Sequence, residues 1–529
     1  MTAVTAFEIV EKDGIVSIHH TQGRGRNTGD VRDLLKFLRY DTKQTIRVLW
    51  DLDTAVAPIL RKLPPEILKR LSEFDDELIY EGHELYYLPD RLFRVGMARY
   101  YGIRSFWGRL ADRIPTLTQT QALANMLMKT LAECDLANPR KLTSAIAIFE
   151  DSRQGKEFYS SLPRGYDIPE ECYPMLEMAG KADRKDWVSN HYVGSFAEGE
   201  IHDYDISGCY PAIAAQLPDL RDMDVWQSAK LGEREREASI GIVQGSFYLI
   251  PHTEYAHCSP IIAKTVGDLP GNPLGTIPED CYTMDEVRFV EANGLGKFKC
   301  RDGWFAHPKP GVTPRYPFKD IMADLYEQRQ LSPLASSISK AIANSIIGKL
   351  IETKVSGEYG PLRNDIYHAL ITSRARVQVG SFLIHNEVKA DELVCVQTDG
   401  CRLTRQIPVQ DNGMGSWRCN GSAPTIVLSP YKVYCEDARP YRLTYADVVK
   451  MIGEHPLSQT YSKTVNHRLT LVQAIRQHGD ATKVGEVRTQ PDSLDLITLV
   501  TEQNRNYSRL PGTGKGLLSS KYASEPVVL

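Results

Sequence analysis

EIHDYDISGCYPAIAAQLPDL, residues 200–220, holds the change of pattern on which the reading of the whole chain turns. A short strand, His202–Ile206, carries Asp205 to its end. The chain then turns through Ser207-Gly208 into a helix that contains Tyr210 and has Pro211 in its first turn. A carboxylate at such a strand-to-helix turn stands beside exposed backbone groups, where a cation and a phosphate can be gripped together. The plainer alternative is that Asp205 merely caps the helix, as Asp often does.

Two further stretches bear on that choice. KDIMADLYEQRQLSPLASSISKAIANSIIGKLIE (319–352) reads as two helices broken at Ser332-Pro333, with Ser336 or Ser337 capping the second. Lys340, Asn344 and Gly348 recur at i, i+4 and i+8, so they share one face. Lys340, with Arg329 across the hairpin, would form a cationic cleft able to hold a triphosphate. Gly348 leaves a flat spot where a base pair could lie against the backbone. A surface lysine beside an Ala/Ile core stripe has the same spacing. VCVQTDGC (394–401) continues a buried strand, Leu393–Val396, that ends at Gln397-Thr398-Asp399-Gly400, and Asp followed by Gly is also an ordinary turn pairing. Each bland reading is sound alone. In order along the chain, however, acid, cationic hairpin and acid form the parts list of two-metal phosphoryl transfer.

On these residues the chain resembles the family B DNA polymerases. DISGCYP (205–211) is similar to that family's motif A, usually D-x-x-S-L-Y-P. KAIANSIIG (340–348) is similar to motif B, K-x-x-x-N-S-x-Y-G, and VQTDG (396–400) to motif C, Y-x-D-T-D-S. HYVGSF (191–196) resembles the Y-x-G-G/A motif and YKVY (431–434) the K-x-Y motif, both typical of the protein-primed subgroup of phages and linear mobile elements. Five motifs in order over roughly 190–435 are far more specific than any one of them.

The resemblance implies an α+β multidomain right hand. An N-terminal RNase H-like exonuclease-type domain would occupy 1–185. Palm would occupy 186–220 and 353–436, a palm insertion facing a priming protein 221–317, fingers 318–352, and thumb with a tail 437–529. It implies that Asp205 and Asp399 ligate two Mg²⁺ ions, with Mn²⁺ as a substitute. Lys340 and Arg329 would hold the triphosphate of a dNTP, while Tyr210 would stack under the sugar and exclude a 2′-hydroxyl. Asn344 and Gly348 would pack near the nascent pair, Lys432 and Tyr434 would steady the primer, and Tyr192 and Gly194 would meet the template. Partners would be primer-template DNA, dNTPs and a terminal or priming protein, in the cytoplasm of a host cell.

The chain departs from the pattern at defined points. Ile347 stands where the family has Tyr before Gly348, which implies looser nucleotide discrimination. Gln397 replaces the first Asp of motif C and Gly400 its Ser. Gln397 implies altered metal preference, or a polymerase-derived nucleic-acid-binding protein with impaired catalysis. In the N-terminal domain, IRVLWDLDT offers only Asp51 and Asp53 against the expected D-x-E, no N-x-x-F-D follows, and the Y-x-x-x-D from Tyr86 to Asp90 comes too early. An inactive exonuclease fold with structural Asp51 and Asp53 is expected; a nuclease built on those two acids is the remaining alternative. The short span between Lys340 and Asp399 leaves no room for the subgroup's second insertion.

Composition is compatible with this. At 529 residues the chain is long enough for two to four domains. A net charge of −4 excludes binding nucleic acid through a broadly basic surface, so any such contact needs local Lys and Arg. Ten cysteines scattered without CxxC pairs or Cys/His ligand spacing indicate neither a zinc module nor a disulfide framework. No stretch approaches the roughly 18 consecutive apolar residues of a membrane span, and a soluble intracellular protein is expected. PGTGKG (511–516) mimics a P-loop but has Gly516 where Ser or Thr would bind Mg²⁺.

Overall fold

The computed structural model describes residues 3–13, 15–21, 23–28, 45–51, 57–58, 78–79, 86–87, 100–107, 115–137, 139, 142, 144–162, 168–184, 186–263, 273–353, 357–429, 432–437, 443–454, 460–469, 473–474, 478–480, 483, 486–495, 505–507 and 521–526. Asp53, Asp90, Tyr431 and the 511–516 loop lie outside them. Two units result. The first comprises Met1–Ser160, Leu325–Ile342 and Thr464–Pro491; the second comprises Ser161–Asp324, Ala343–Lys463 and Asp492–Leu529.

The first unit is built on a five-stranded sheet, ordered Gly23–Thr28, Ile15–His20, Ala3–Lys12, Thr45–Leu49, Tyr100–Gly102. Its first three strands run antiparallel. The last two join in parallel. Ile46, Arg47, Val48 and Leu49 are all buried, as an interior parallel strand covered on both faces requires. The IRVLWDLDT stretch is therefore the fourth strand along the chain, and Ala3–Lys12 opens the sheet. Helix Leu117–Glu133 begins with a Thr116/Gln119 capping box and buries Ala124, Leu127 and Leu131 at helical spacing. Its Gln121 serves the first strand directly: the Ala6 amide donates to Oε1 (2.8 Å) and Nε2 donates to the Val4 carbonyl (3.0 Å).

The helical hairpin of the sequence is present as Lys319–Gln328 and Pro333–Gly348. The cap differs from expectation. Ser332, not Ser336 or Ser337, accepts from the Ala335 amide (3.1 Å), because Pro333 opens the second helix instead of only ending the first.

The second unit centres on an antiparallel sheet ordered Trp417–Gly421, His202–Ile206, Gly400–Leu403, Leu393–Gln397, Val188–Asn190. Tyr204, Leu393, Val396, Cys401 and Leu403 form one buried face, against Val379, Phe382 and Leu383 of helix Asp365–His385. With a period of two, Asp203 and Asp205 point the other way. A second sheet, ordered Lys432–Cys435, Thr425–Ser429, Tyr192–Phe196, Lys521–Pro526, Arg505–Tyr507, takes the described C-terminal strand into its interior.

Strands Met223–Gln227, Gly296–Pro308, Ile240–Leu249 and Gly275–Thr283 form, in that order, an antiparallel sheet with its own core around Phe247, Tyr282 and Phe305. It is tied to helix Asp365–His385 by one fully buried ion pair, Arg376 Nη2 to Glu286 Oε1 at 2.7 Å. Glu286 also closes the capping box of helix Met284–Ala292, accepting from the Thr283 amide (3.0 Å) and hydroxyl (3.1 Å). Removing one partner of such a pair leaves the other charge buried and unpaired. Glu286→Ala is expected to lower unfolding stability by about 3–5 kcal/mol in a urea titration. Glu286→Gln, which keeps an acceptor for Thr283, should lose less.

Candidate active site

The site begins with strand register. Asp205 pairs with Gly400, the residue after Asp399, and the Ile206 amide donates to the Asp399 carbonyl (3.2 Å). Tyr204 fixes its strand from the buried side, its hydroxyl accepting from the Ile407 amide (2.6 Å) and donating to the Ile407 carbonyl (3.1 Å). The strands approach so closely at Gly400 that a Cβ there would lie 2.5 Å from the Tyr204 carbonyl oxygen. That accounts for Gly400 where the resemblance expects Ser.

Gln397 pairs with Gly400, so Thr398-Asp399 is a two-residue hairpin connection. The favoured turns of that length need positive φ at their first central residue. Thr398 supplies it at φ +57°, an uncommon conformation for a β-branched side chain, at a cost on the order of 1–2 kcal/mol. Two hydrogen bonds hold it: the Thr398 amide donates to the Trp187 carbonyl (2.9 Å), and Oγ1 donates to Asp399 Oδ1 (2.7 Å). Burial pushes the Asp399 carboxyl above its ordinary pKa and the nearby Asp205 charge adds to this, while the Thr398 hydroxyl partly offsets both.

Asp205 does not cap the following helix. The cap position is Gly208 at φ +61°, with no side-chain capping bond. Asp205 Oδ2 instead accepts from Arg418 Nη2 (2.8 Å), its register partner on strand Trp417–Gly421. The backbone of the turn is also engaged, contrary to expectation: the Ser207 amide donates to the Ser416 carbonyl (2.9 Å), and its carbonyl accepts from the Gly415 amide (2.6 Å).

Gln397 belongs to a different group of side chains. Arg402 Nη1 donates to Gln397 Oε1, while Arg402 Nη2 lies 3.2 Å from Asp203 Oδ2. Burial pushes the Asp203 carboxyl up and the Arg402 guanidinium counters it. Where the resemblance expects an acid, this chain has an amide committed to a guanidinium.

Beside the two acids lies a cavity of about 620 Å³ lined by Asp186, Tyr210, Asn344, Ile347, Gly348 and Thr398, among others. The Tyr210 hydroxyl donates to Asp186 Oδ1 at 2.6 Å. Farther along the wall, Asp183 Oδ1 lies 3.0 Å from His368 Nδ1, and buried Arg184 pairs with Asp280 at 2.9 Å. A Cβ on Gly348 would meet nothing within 4 Å, so this glycine keeps the cavity open without serving the backbone.

The remaining residues fall as follows. Lys340 is exposed on helix Pro333–Gly348 in the first unit, and Arg329 in that unit holds its guanidinium 5.4 Å from the Tyr326 ring centroid. Tyr192, Gly194, Lys432 and Tyr434 share one sheet, their strands separated only by Thr425–Ser429. Asp51 follows the fourth strand of the first unit and is paired with Arg104 Nη1 at 2.7 Å. Asp186, Arg402 and Arg418 were missed in the sequence. Asp186 had a signal, an acid just before the short buried strand that leads into HYVGSF.

Among the described residues, no three His, Cys, Asp or Glu side chains converge as a metal cage. Two carboxylates, one of which is made costlier to ionise by burial and by the other's charge, still suit Mg²⁺, which is commonly held by one or two carboxylates plus water and substrate phosphates. Among the described residues no helix is long and apolar enough to cross a membrane.

The fold is similar to that of Phi29 DNA polymerase. With its ternary complex with primer-template DNA and incoming nucleotides, the TM-score is 0.55 at 13% identity, covering 93% of this chain and 99% of that one. With the post-translocation binary complex with primer-template DNA the TM-score is 0.53, at the same identity and coverage. No family model and no curated protein matches the chain.

The raised Asp399 pKa has a checkable consequence. Because the folded state binds this proton more tightly than the unfolded chain, ionised Asp399 opposes folding. Asp399→Asn should raise the unfolding temperature of chelator-treated protein at pH 7. The gain should fade as pH falls through the folded pKa and vanish below about 3.9, the ordinary Asp value.

Proposed function

We propose that the chain is a template-directed DNA polymerase that adds dNMPs to a primer 3′-hydroxyl, in the replication of a phage or mobile element. The carrying observation is the pairing of Asp205 with the Thr398–Gly400 turn beside a cavity of nucleotide size, lined by Tyr210, Asn344 and Gly348. The likeness of fold to Phi29 DNA polymerase supports the reading. So do the DNA and nucleotides in the complexes of that protein.

In this reading Asp205 and Asp399 hold Mg²⁺, or Mn²⁺ in its place. When bound, the ions lower the pKa of the primer 3′-hydroxyl and steady the pyrophosphate leaving group. The primer 3′-hydroxyl gives up its proton to solvent, its oxygen forms a bond to the α-phosphorus, the bond from that phosphorus to the bridging oxygen breaks, and pyrophosphate leaves with its electrons. Ionised Asp399 is costly in the bare site, so cation binding repays a cost already present in the fold. Thr398 orients its carboxylate through the 2.7 Å hydrogen bond. Arg418 pairs with Asp205 Oδ2, so a cation held there would share that carboxylate with the guanidinium. Tyr210 carries the sugar and excludes a 2′-hydroxyl, and Asn344 and Gly348 face the nascent pair.

The second unit then supplies the palm and its insertion, with the helical hairpin as fingers and a priming protein met through 221–317. Tyr192, Gly194, Lys432 and Tyr434, in one sheet, are suited to tracking template and primer together. The five-stranded mixed sheet of the first unit supports an RNase H-like remnant without nuclease activity, since Asp51 is paired with Arg104. The Gln397–Arg402 contact favours one competing reading, a nucleic-acid-binding descendant without chemistry.

A primer-extension assay with Mg²⁺ or Mn²⁺ separates the two. Extension by wild type, lost by at least about 10³-fold in Asp205→Ala and Asp399→Ala, is the expected result; duplex binding without any extension would leave only the competing reading. A milder variant tests the cavity. Gly348→Ala should leave the fold as stable or slightly more so, by about 0.4–1 kcal/mol, because helical geometry and open space admit the methyl. It should nonetheless raise the KM for dNTP, since the methyl enters the nucleotide's space.

A further inference from the structure

Tyr210 is the cavity residue to which the polymerase reading assigns sugar discrimination, and its ring is not held by packing alone. It is only half-buried, and its hydroxyl donates a 2.6 Å hydrogen bond to Asp186 Oδ1. A phenol donating to a carboxylate is a charge-assisted bond, among the stronger kinds available to a neutral side chain. The ring is therefore fixed at both ends, by the helix Cys209–Ala214 through its Cβ and by Asp186 through its oxygen.

Asp186 is itself well anchored. The next residue, Trp187, is fully buried, and its indole Nε1 donates to Ser189 Oγ at 3.1 Å. The Trp187 carbonyl accepts from the Thr398 amide at 2.9 Å, the bond that helps hold the strained turn carrying Asp399. One buried residue thus ties the support of Tyr210 to the support of Asp399. Neither Asp186 nor Trp187 belongs to any of the five motifs.

Resting on the polymerase reading, we propose that Asp186 is a positioning residue for sugar selection: it holds the Tyr210 ring at the height that admits a 2′-deoxyribose and rejects a ribose. Losing the tether frees the ring to rotate away and opens room for the extra hydroxyl. The amide of Asn keeps an acceptor for the phenol, so it preserves the arrangement. Phe at position 210 keeps the ring and removes the tether, so it reproduces the loss of Asp186.

The test measures kcat/KM for a dNTP and the matching rNTP on the full-length protein with primed template and Mg²⁺. In Asp186→Ala and in Tyr210→Phe the preference for dNTP is expected to fall about tenfold, the scale of discrimination that one small group in a pocket provides. The double variant should fall no further than either single one, because both remove the same contact. Asp186→Asn should stay within about threefold of wild type. A general structural defect would lower rates with both nucleotides and would not be reproduced by Tyr210→Phe. If Asp186→Ala and Tyr210→Phe both extend DNA with unchanged preference, the tether has no such role and the polymerase reading stands. If Asp186→Ala extends nothing, Tyr210→Phe decides alone. Wild type that incorporates no dNTP overturns both.

Discussion

The second unit depends on one constraint: strand His202–Ile206 must lie against Gly400–Leu403 in the register that sets Asp205 opposite Gly400. A slip by one residue would turn Tyr204 out of the core and carry both acids away from each other. The register is defended from two sides. Tyr204 is locked on Ile407 beneath the sheet, and Gly400 has no side chain, so the neighbouring backbone can approach. Two carboxylates are thereby brought close enough for the charge on one to raise the pKa of the other. The fold tolerates that repulsion through Arg418 and Thr398.

The polar groups around the acids divide into two sets by their partners, although Asp203 and Asp205 lie on the same face of their strand. Asp205, Asp399, Thr398 and Arg418 face the site. Asp203, Arg402 and Gln397 compensate one another instead. The loss of the first motif C acid is thus accompanied by a complete local replacement, and it leaves no gap among the charges. Such a replacement is compatible with chemistry at Asp399, because none of the three side chains competes for that carboxylate.

Much of the architecture was legible from local pattern. Strand His202–Ile206 was read with its observed ends, and the strand before Asp399 differs by one residue, because burial and the following turn chemistry are local signals. The helical break at Ser332-Pro333 was found, whereas its cap was assigned too far along, because proline can open a helix as readily as stop one. The division into two units was not legible. Its segments are discontinuous in the chain, and local composition does not encode which distant stretches pack together.

By itself the sequence determined the order of the chemical parts: Asp205, Tyr210, Lys340, Asn344, Gly348 and Asp399 stand out because their types and spacings are properties of the chain. Only the tertiary structure decided what each touches. Arg418 meets Asp205 across 213 positions, Arg402 engages Gln397 and Asp203 across two strands, and Asp186 holds Tyr210 from outside every motif. The physical reason is that charge pairing and hydrogen bonding act over a few ångströms of space. The sheet register, not proximity in sequence, determines which side chains come within that range.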